Sequence, residues 1–264
     1  MEIIETVKGG YVRNMLREGK RTGGRGMMDF RSISVRAGVM PNAEGSAQAD
    51  VGDTRVLVGV KMMPEDPMPD TPDQGNMITN AELLQLAYEE YEPGPPSPES
   101  VEFARVVDRG IRAANCIDLT SLVLEDKKVW SIFIDLYVLN YGGNLFDAGY
   151  LAAMAALMNA KVPNYKDGAA DHRQRDKSLK IDNIVTSATF GKIDGSVLLD
   201  MDINEERIAD TRLTVAADGS VIRAMQKGLR GSLTVQEVRD MIGVSMEKHA
   251  QLKSVLETAV KEAK

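Results

Sequence analysis

The sequence is short of the residues from which most hydrolytic and metal-dependent sites are built. Its single cysteine, Cys116, excludes an internal disulfide and a thiolate metal cluster. Set in the apolar run AANCIDL, the thiol reads as a buried structural side chain rather than a nucleophile. The two histidines, His172 and His249, lie far apart with no carboxylate–histidine spacing around them. A catalytic triad and a zinc site therefore have no support, and both rings are expected at the surface. No apolar run approaches the roughly 18–20 residues that span a bilayer, and the start, MEIIETVKGGYVRNMLREGKR, has no apolar block of the signal-peptide kind. A cytoplasmic protein without membrane contact is expected. Positive charge is also in deficit, with 32 Lys and Arg against 39 Asp and Glu and a net charge of -7. That balance excludes a chain that binds nucleic acid unaided, because neutralising phosphates takes clustered Lys and Arg.

What is present suits a sizeable core. With 264 residues, 43% of them hydrophobic, the chain is long enough for one large or two small domains. Ile4, Val7, Tyr11 and Met15 recur at helical spacing and predict a helix over 2–18, interrupted in composition by Gly9 and Gly10. Ile33, Val35, Ala37 and Val39 alternate with polar or small residues, the period of a half-buried strand, and Ala47–Val51 and Thr54–Met62 extend it into a meander. Residues 64–76, PEDPMPDTPDQGN, hold enough Pro and Asp to read as an exposed loop. Its Asp66, Asp70 and Asp73 lack the calcium-loop spacing and read as solvated. Ser97 followed by Pro98 predicts a capped helix start, and the helix runs to about Ala114.

The apolar run VWSIFIDLYVL predicts an interior strand, and LAAMAALM a helix buried on more than one face, with Leu151, Ala155 and Met158 on one stripe. After the basic loop KDGAADHRQRDKSLK come four strand-like segments, NIVTSATFG, SVLLDMD, DTRLTVA and SVIRAMQ, with Asp218-Gly219 as a hairpin turn. Thr234 and Glu237 match a capping box that opens a long last helix carrying Val235, Val238, Ile242, Leu252, Leu256 and Ala259 inward. Strands followed by a helix thus occur twice. The pattern predicts an α+β (α/β) fold of two pseudo-repeated sheet-plus-helix halves, about 25–125 and 126–264.

One stretch, NYGGNLFDAG at 140–149, poses a chemical problem. A glycine turn between a strand and a helix is where proteins often bind phosphate, because free N–H groups and the helix dipole favour an anion. Yet no Lys or Arg occurs between Lys128 and Lys161. On the helix after Ser97, by contrast, Arg105, Arg109 and Arg112 are spaced four and three apart and share one face. Pairing with Glu102 and Asp108 would make that face an ordinary charged surface. GKRTGGRG lacks the order of a nucleotide-binding P-loop.

The order and spacing of RTGGRGMMDFR, GSAQADVGDTRVLVGV, RVVDRGIRAAN, IDLYVLNYGGNLFDAG and GKIDGSVLLDMD resemble the RNase PH family of phosphorolytic exoribonucleases over nearly the whole chain. EPGPP, VVDRGIR, NYGGNLFDA and VPNYKDG are most similar to the non-catalytic RNase PH-type subunit of the archaeal exosome core. The resemblance implies a single RNase PH-like domain over 1–264 with an N-terminal helix. In active members the turn reads roughly Asp-Gly-Gly-Thr/Ser-Arg-Thr and grips the attacking phosphate; here Tyr141, Gly142, Gly143, Asn144, Leu145 and Phe146 stand there. Leu145 cannot donate a hydrogen bond, and Asp147 in the first turn is expected to occupy the positive helix end. No catalytic residue, cofactor or metal is therefore expected.

The family's acidic pair has a possible counterpart in Glu206 and Asp210, with altered spacing. The early Arg-x-Asp-Gly-Arg pattern is changed to Arg21-Thr22-Gly23-Gly24-Arg25. The resemblance also places VVDRGIR where family arginines contact RNA phosphates, which makes Arg109 and Arg112, and then Arg105, the candidate RNA-binding residues. Arg173, Arg175 and Lys177 are a weaker candidate. The expected partners are a catalytic RNase PH-like subunit in a hexameric ring (a trimer of heterodimers), RNA-binding cap proteins and single-stranded RNA. The competing expectations are a phosphate-dependent 3′-to-5′ exoribonuclease using Glu206 and Asp210, and a scaffold without RNA contact.

Overall fold

The computed structural model describes residues 2–125, 127–166 and 168–263, with side chains from residue 8 onward. Ile4 and Val7 of the expected stripe lie outside the described side chains, Tyr11 of the same stripe is exposed, and Val12 and Leu16, one position on, are the residues that α1 buries. The chain opens with α1 (Glu2–Arg17) and continues through β1 (Ile33–Ala37), β2 (Gly45–Val51), β3 (Thr54–Glu65), β4 (Asn76–Leu83), α2 (Pro98–Ala113), β5 (Val129–Asn140) and α3 (Leu145–Met158). Short strands β6 (Lys161–Val162), β7 (Asn164–Lys166), β8 (Ala169–Asp171) and β9 (Lys177–Ser178) then form two small ribbons. The second block holds β10 (Thr186–Ile193), β11 (Ser196–Leu199), α4 (Ile203–Glu206), β12 (Thr211–Ala217), β13 (Ile222–Gly228) and α5 (Val235–Glu262).

A five-stranded sheet runs β1-β2-β3-β5-β4 and a four-stranded sheet β11-β10-β12-β13. The α+β character follows from alternation on each sheet: in β3 the odd-even pattern buries Val56, Val58, Val60 and Met62 completely, as period two requires. β5 pairs β3 antiparallel along its whole length and β4 in parallel, so it is interior as its unbroken apolar run predicts. It lies beyond residue 125 yet belongs to the first sheet, because its partners are β3 and β4.

The sequence loop at 64–76 is shorter than expected at both ends. Pro64 and Glu65 still pair with Trp130 and Val129, and Asn76 begins β4, which alternation did not reveal. α3 lies between the sheets, packed on β2 and β3 on one side and β10 on the other, with every residue from Leu145 to Leu157 buried. α2 covers β4 and β13, while α5 crosses β1, β10 and β12. The capping boxes of α4 and α5 are both closed, Asp202 with Glu205 and Thr234 with Glu237. Val235 is 70% exposed, because it sits in the first turn, before the half-buried Val238 and the buried stripe that begins at Met241.

His249 is not at the surface. It is buried, with Nδ1 2.9 Å from the Thr186 hydroxyl, and burial followed by the charge of Lys253 holds its pKa below the usual imidazole value. Among the described residues no group of three or more His, Cys, Asp or Glu is arranged to hold a metal ion. No described helix is long and apolar enough to cross a membrane.

Candidate functional site

The turn before α3 is built by contact with the segment around α4. Gly143 has φ +95, and a Cβ there would stand 2.5 Å from the carbonyl carbon of Asp202, so only glycine allows the approach. Asn144 follows at φ 58 and caps α3 with its side chain. Its backbone N–H donates to Glu206 Oε2 at 2.8 Å, and the Tyr141 hydroxyl donates to the same oxygen at 3.1 Å. A carboxylate of the chain itself therefore takes the N–H that a strand–turn–helix anion site would offer. Burial and then the neighbouring Glu206 charge push the Tyr141 phenol up, so it stays a donor.

The cations absent from the local sequence arrive from elsewhere, and each is already engaged. Arg31 donates Nη1 to Gly142 O at 2.7 Å and Nη2 to Gly143 O at 2.9 Å, and grips Asp200 through Nε and Nη2 at 2.9 and 2.8 Å. Burial alone would lift the Asp200 pKa, but the Arg31 hydrogen bonds and charge, helped by Asn144, outweigh it and hold the carboxyl below its ordinary range. Arg212 lies 3.6 Å from Glu206 Oε1, donates to Glu102 at 2.9 Å, and places its guanidinium 4.3 Å from the centre of the Phe146 ring.

Behind them Arg21, fully buried in its side chain, forms a bidentate pair with Glu205 at 2.9 and 2.6 Å. Arg25 bridges Asp200 at 3.1 Å and Glu205 at 3.3 Å. The arginines of the altered early motif thus find their carboxylates 175 and more residues away.

Asp147 does not occupy the helix end. It turns inward and accepts from Ser187 Oγ at 2.5 Å, Asn144 Nδ2 at 2.8 Å, Thr189 N at 2.8 Å and Thr189 Oγ1 at 2.9 Å. Burial pushes its carboxyl up, against those hydrogen bonds. Leu145 and Phe146 are buried in the core. Glu206 and Asp210 serve different places, since Asp210 accepts from the Asp194 N–H in the β10–β11 turn at 2.9 Å.

On α2 the three arginines are exposed as their spacing predicts and, with Asp108 and Ala113, line an open groove of about 390 Å³. Arg112 donates to Asp108 at 3.1 Å and to the Met77 carbonyl at 2.9 Å. Arg109 donates to Gln226 Oε1 at 2.5 Å. Among the described residues Arg105 makes no hydrogen bond or ion pair. Glu102 holds Arg212 rather than an arginine of α2, so only Asp108 pairs along that face.

The basic loop divides in character. Arg175 is a structural tie that donates to the carbonyls of His172 and Ala43, whereas Arg173 and Lys177 are exposed. Arg31, Asp200, Arg212 and Gln226 were not visible as site residues. For Arg31 and Asp200 the only sequence signal is the arginine-rich 21–31 stretch and the acidic 200–206 stretch, whose complementarity is non-local, and Arg212 and Gln226 carry none.

Two sheets around a buried central helix, with a strand–turn–helix turn of the anion-binding type and an exposed arginine face on α2, are the architecture of a 3′ exoribonuclease domain. The model of the 3′ exoribonuclease family matches in two parts, domain 1 over residues 29–163 and domain 2 over residues 183–248, and the chain belongs to this family, the RNase PH family. It is 42% identical over 258 residues to the exosome complex component Rrp42 of Methanocella arvoryzae, covering 97% of this chain and 98% of that one. The Thermococcus gammatolerans Rrp42 is 41% identical over 266 residues, covering 98% and 97%. Among solved structures, a chain of the Archaeoglobus fulgidus exosome with RNA bound to the active site superposes with a TM-score of 0.90 at 41% identity, covering 96% of this chain and 98% of that one. An archaeal exosome core chain gives 0.87 at 38%, covering 97% and 98%.

Proposed function

We propose that this chain is a ring subunit of an archaeal-type RNA exosome and performs no phosphorolysis itself. It alternates with a catalytic RNase PH-like subunit in a hexameric ring, a trimer of heterodimers, and acts in the cytoplasm on single-stranded RNA delivered through RNA-binding cap proteins. It supports 3′-to-5′ degradation by completing the partner's active site across their interface and by holding RNA phosphates on Arg109, Arg112 and Arg105. End-to-end similarity to archaeal Rrp42 supports the ring assignment.

The observation that carries catalytic silence is the Glu206 carboxylate on the Asn144 N–H. A phosphate brought to this turn would meet a negative charge already in its place, and the nearest arginines are held by Asp200, Glu102 and Glu206. Like charges a few ångströms apart in a half-buried site repel strongly. The exposed arginine face supplies the positive surface that RNA needs, and the net charge of -7 makes that surface effective only within an assembled channel.

The test is phosphorolysis. The pure chain with single-stranded RNA and inorganic phosphate should release no nucleoside diphosphates, while an equimolar mixture with the catalytic subunit should sediment as a hexamer and release them. Phosphate-dependent release by the pure chain, abolished by Asp210→Asn, would overturn the reading.

A further inference from the structure

The three arginines of α2 are held in different ways, and the difference bears on what each can bind. Arg112 shares its charge with Asp108. Arg109 is fixed instead by a neutral group, the Gln226 amide oxygen, at 2.5 Å. Gln226 sits on β13 opposite Thr214, with its side chain on the face turned to α2. There it is fixed in turn, because its Nε2 donates to Glu102 at 3.4 Å, and Glu102 accepts from Arg212 at 2.9 Å. Arg212 stands 3.6 Å from Glu206, whose other oxygen takes the Asn144 N–H. A line of polar groups therefore runs from the exposed Arg109 back to the turn before α3.

An amide and a carboxylate at this point would do different things. Either can orient a guanidinium, but a carboxylate also cancels its charge, and affinity for a phosphate chain depends on the charge being available. We propose that Gln226 is a positioning residue for RNA, holding Arg109 in one orientation with its charge intact and so making Arg109 a stronger phosphate contact than Arg112. The inference rests on the RNA-binding reading of α2 given above. It adds a residue on β13, 117 positions from its partner, and an order among the arginines.

The experiment measures binding of a fluorescein-labelled single-stranded oligoadenylate to the assembled ring at several salt concentrations. The rings carry Arg109→Ala, Gln226→Met, Gln226→Glu or the double change Arg109→Ala with Gln226→Met. Methionine keeps the shape of glutamine without its acceptor. Gln226→Met should weaken binding about 2- to 12-fold, the cost of ordering one long side chain on binding, with the salt slope unchanged because the charge remains. Gln226→Glu should weaken binding and flatten the slope of log affinity against log salt by about 0.7, as Arg109→Ala does. The double variant should bind like Arg109→Ala alone.

Gln226 is half-buried near the sheet edge, so the melting temperature of the Gln226→Met ring should stay close to that of the unaltered ring, and that of Gln226→Glu should fall modestly because its carboxylate would stand near Glu102. If Arg109→Ala weakens binding and both Gln226 variants bind like the unaltered ring, the positioning role is refuted and the RNA reading stands. If Gln226→Met weakens binding equally with and without Arg109, Gln226 acts on its own and the inference is likewise refuted. If Arg109→Ala has no effect on affinity or slope, the RNA reading of Arg109 falls first.

Discussion

Replacing Arg21 with methionine isolates the energetic role of the buried ion network. Arg21 and Glu205 both have fully buried side chains, and the guanidinium also donates to the carbonyls of Leu199 at 2.8 Å and Asp200 at 3.1 Å. Arg21→Met removes a charge from a place water does not reach. It leaves Glu205 with only Arg25 as a cation, at 3.3 Å, and two carbonyls without their donor. Breaking one side of such a pair costs about 3–5 kcal/mol, a large share of the roughly 5–15 kcal/mol that stabilises a domain. At about 2–4 °C per kcal/mol for chains near this size, the melting temperature should fall by about 10 °C.

Arg21→Met with Glu205→Met should recover part of the loss, because no unpaired charge then remains. The residual deficit is the α4 cap, where Glu205 accepts the Asp202 N–H at 2.9 Å, worth about 1 kcal/mol, together with the Leu199 and Asp200 carbonyls that still lack the Arg21 donor. Urea titrations followed by the fluorescence of Trp130, the only tryptophan and a buried one, measure both. A single variant within about 1 kcal/mol of the unaltered protein, or a double variant no better than the single, would show that the network is not what holds α4 and the 21–31 segment together.

Two further outcomes follow from the same structure. Asp200 has a depressed folded pKa, so its contribution to stability is complete above its unfolded value near 3.9 and is lost as pH falls through the lower folded value. The urea-midpoint gap between the unaltered protein and Asp200→Asn should therefore close on acidification below about pH 4, and a constant gap down to about pH 2 would contradict the assignment. At α2, a Cβ on Gly110 would lie 2.0 Å from the Tyr150 hydroxyl, which donates to the Val106 carbonyl at 2.5 Å. Gly110→Ala should cost about 1–3 kcal/mol or more, whereas Gly243→Ala on α5, where a Cβ meets nothing within 4 Å, should gain about 0.4–1 kcal/mol; thermal melts of the two variants shifting alike would refute the packing argument.

What could be read from the sequence is what local periodicity controls. β1, β3 and β5 announce themselves by alternation or by an unbroken apolar run, and α2 and α5 by Ser97 and Thr234 at their caps. The arginine face of α2 is equally local, since spacings of four and three fix a side on a helix. β4 was missed because NMITNAEL has no clean alternation and depends on a parallel partner 55 residues away. Pro64 can stay in β3 because it lies next to the strand's last residue, Glu65, where a lost donor costs little.

The content of the turn before α3 was half legible. The absence of a gripping cation next to the glycines showed in the string. That Glu206 fills the N–H, that Asp147 points to β10 instead, and that Arg31 and Arg212 come from the 21–31 segment and β12 did not. The pairings of Glu206 with Asn144, Asp147 with Ser187, Arg31 with Gly142 and Arg212 with Glu102 each span 40 or more residues, and no local pattern encodes a partner at that distance.

The burial of α3 on every side has a consequence for how the protein can be divided. A helix with no polar face is insoluble on its own and incomplete against either sheet alone, so the two sheets share one core element rather than owning one each. Cleaving the chain between α3 and β10 would leave the first piece with an uncovered alanine- and leucine-rich surface and the second with an uncovered β10. The two sheets should consequently melt in a single step, and an exchange of halves between relatives would succeed only if α3 travelled with matching residues on both β2–β3 and β10.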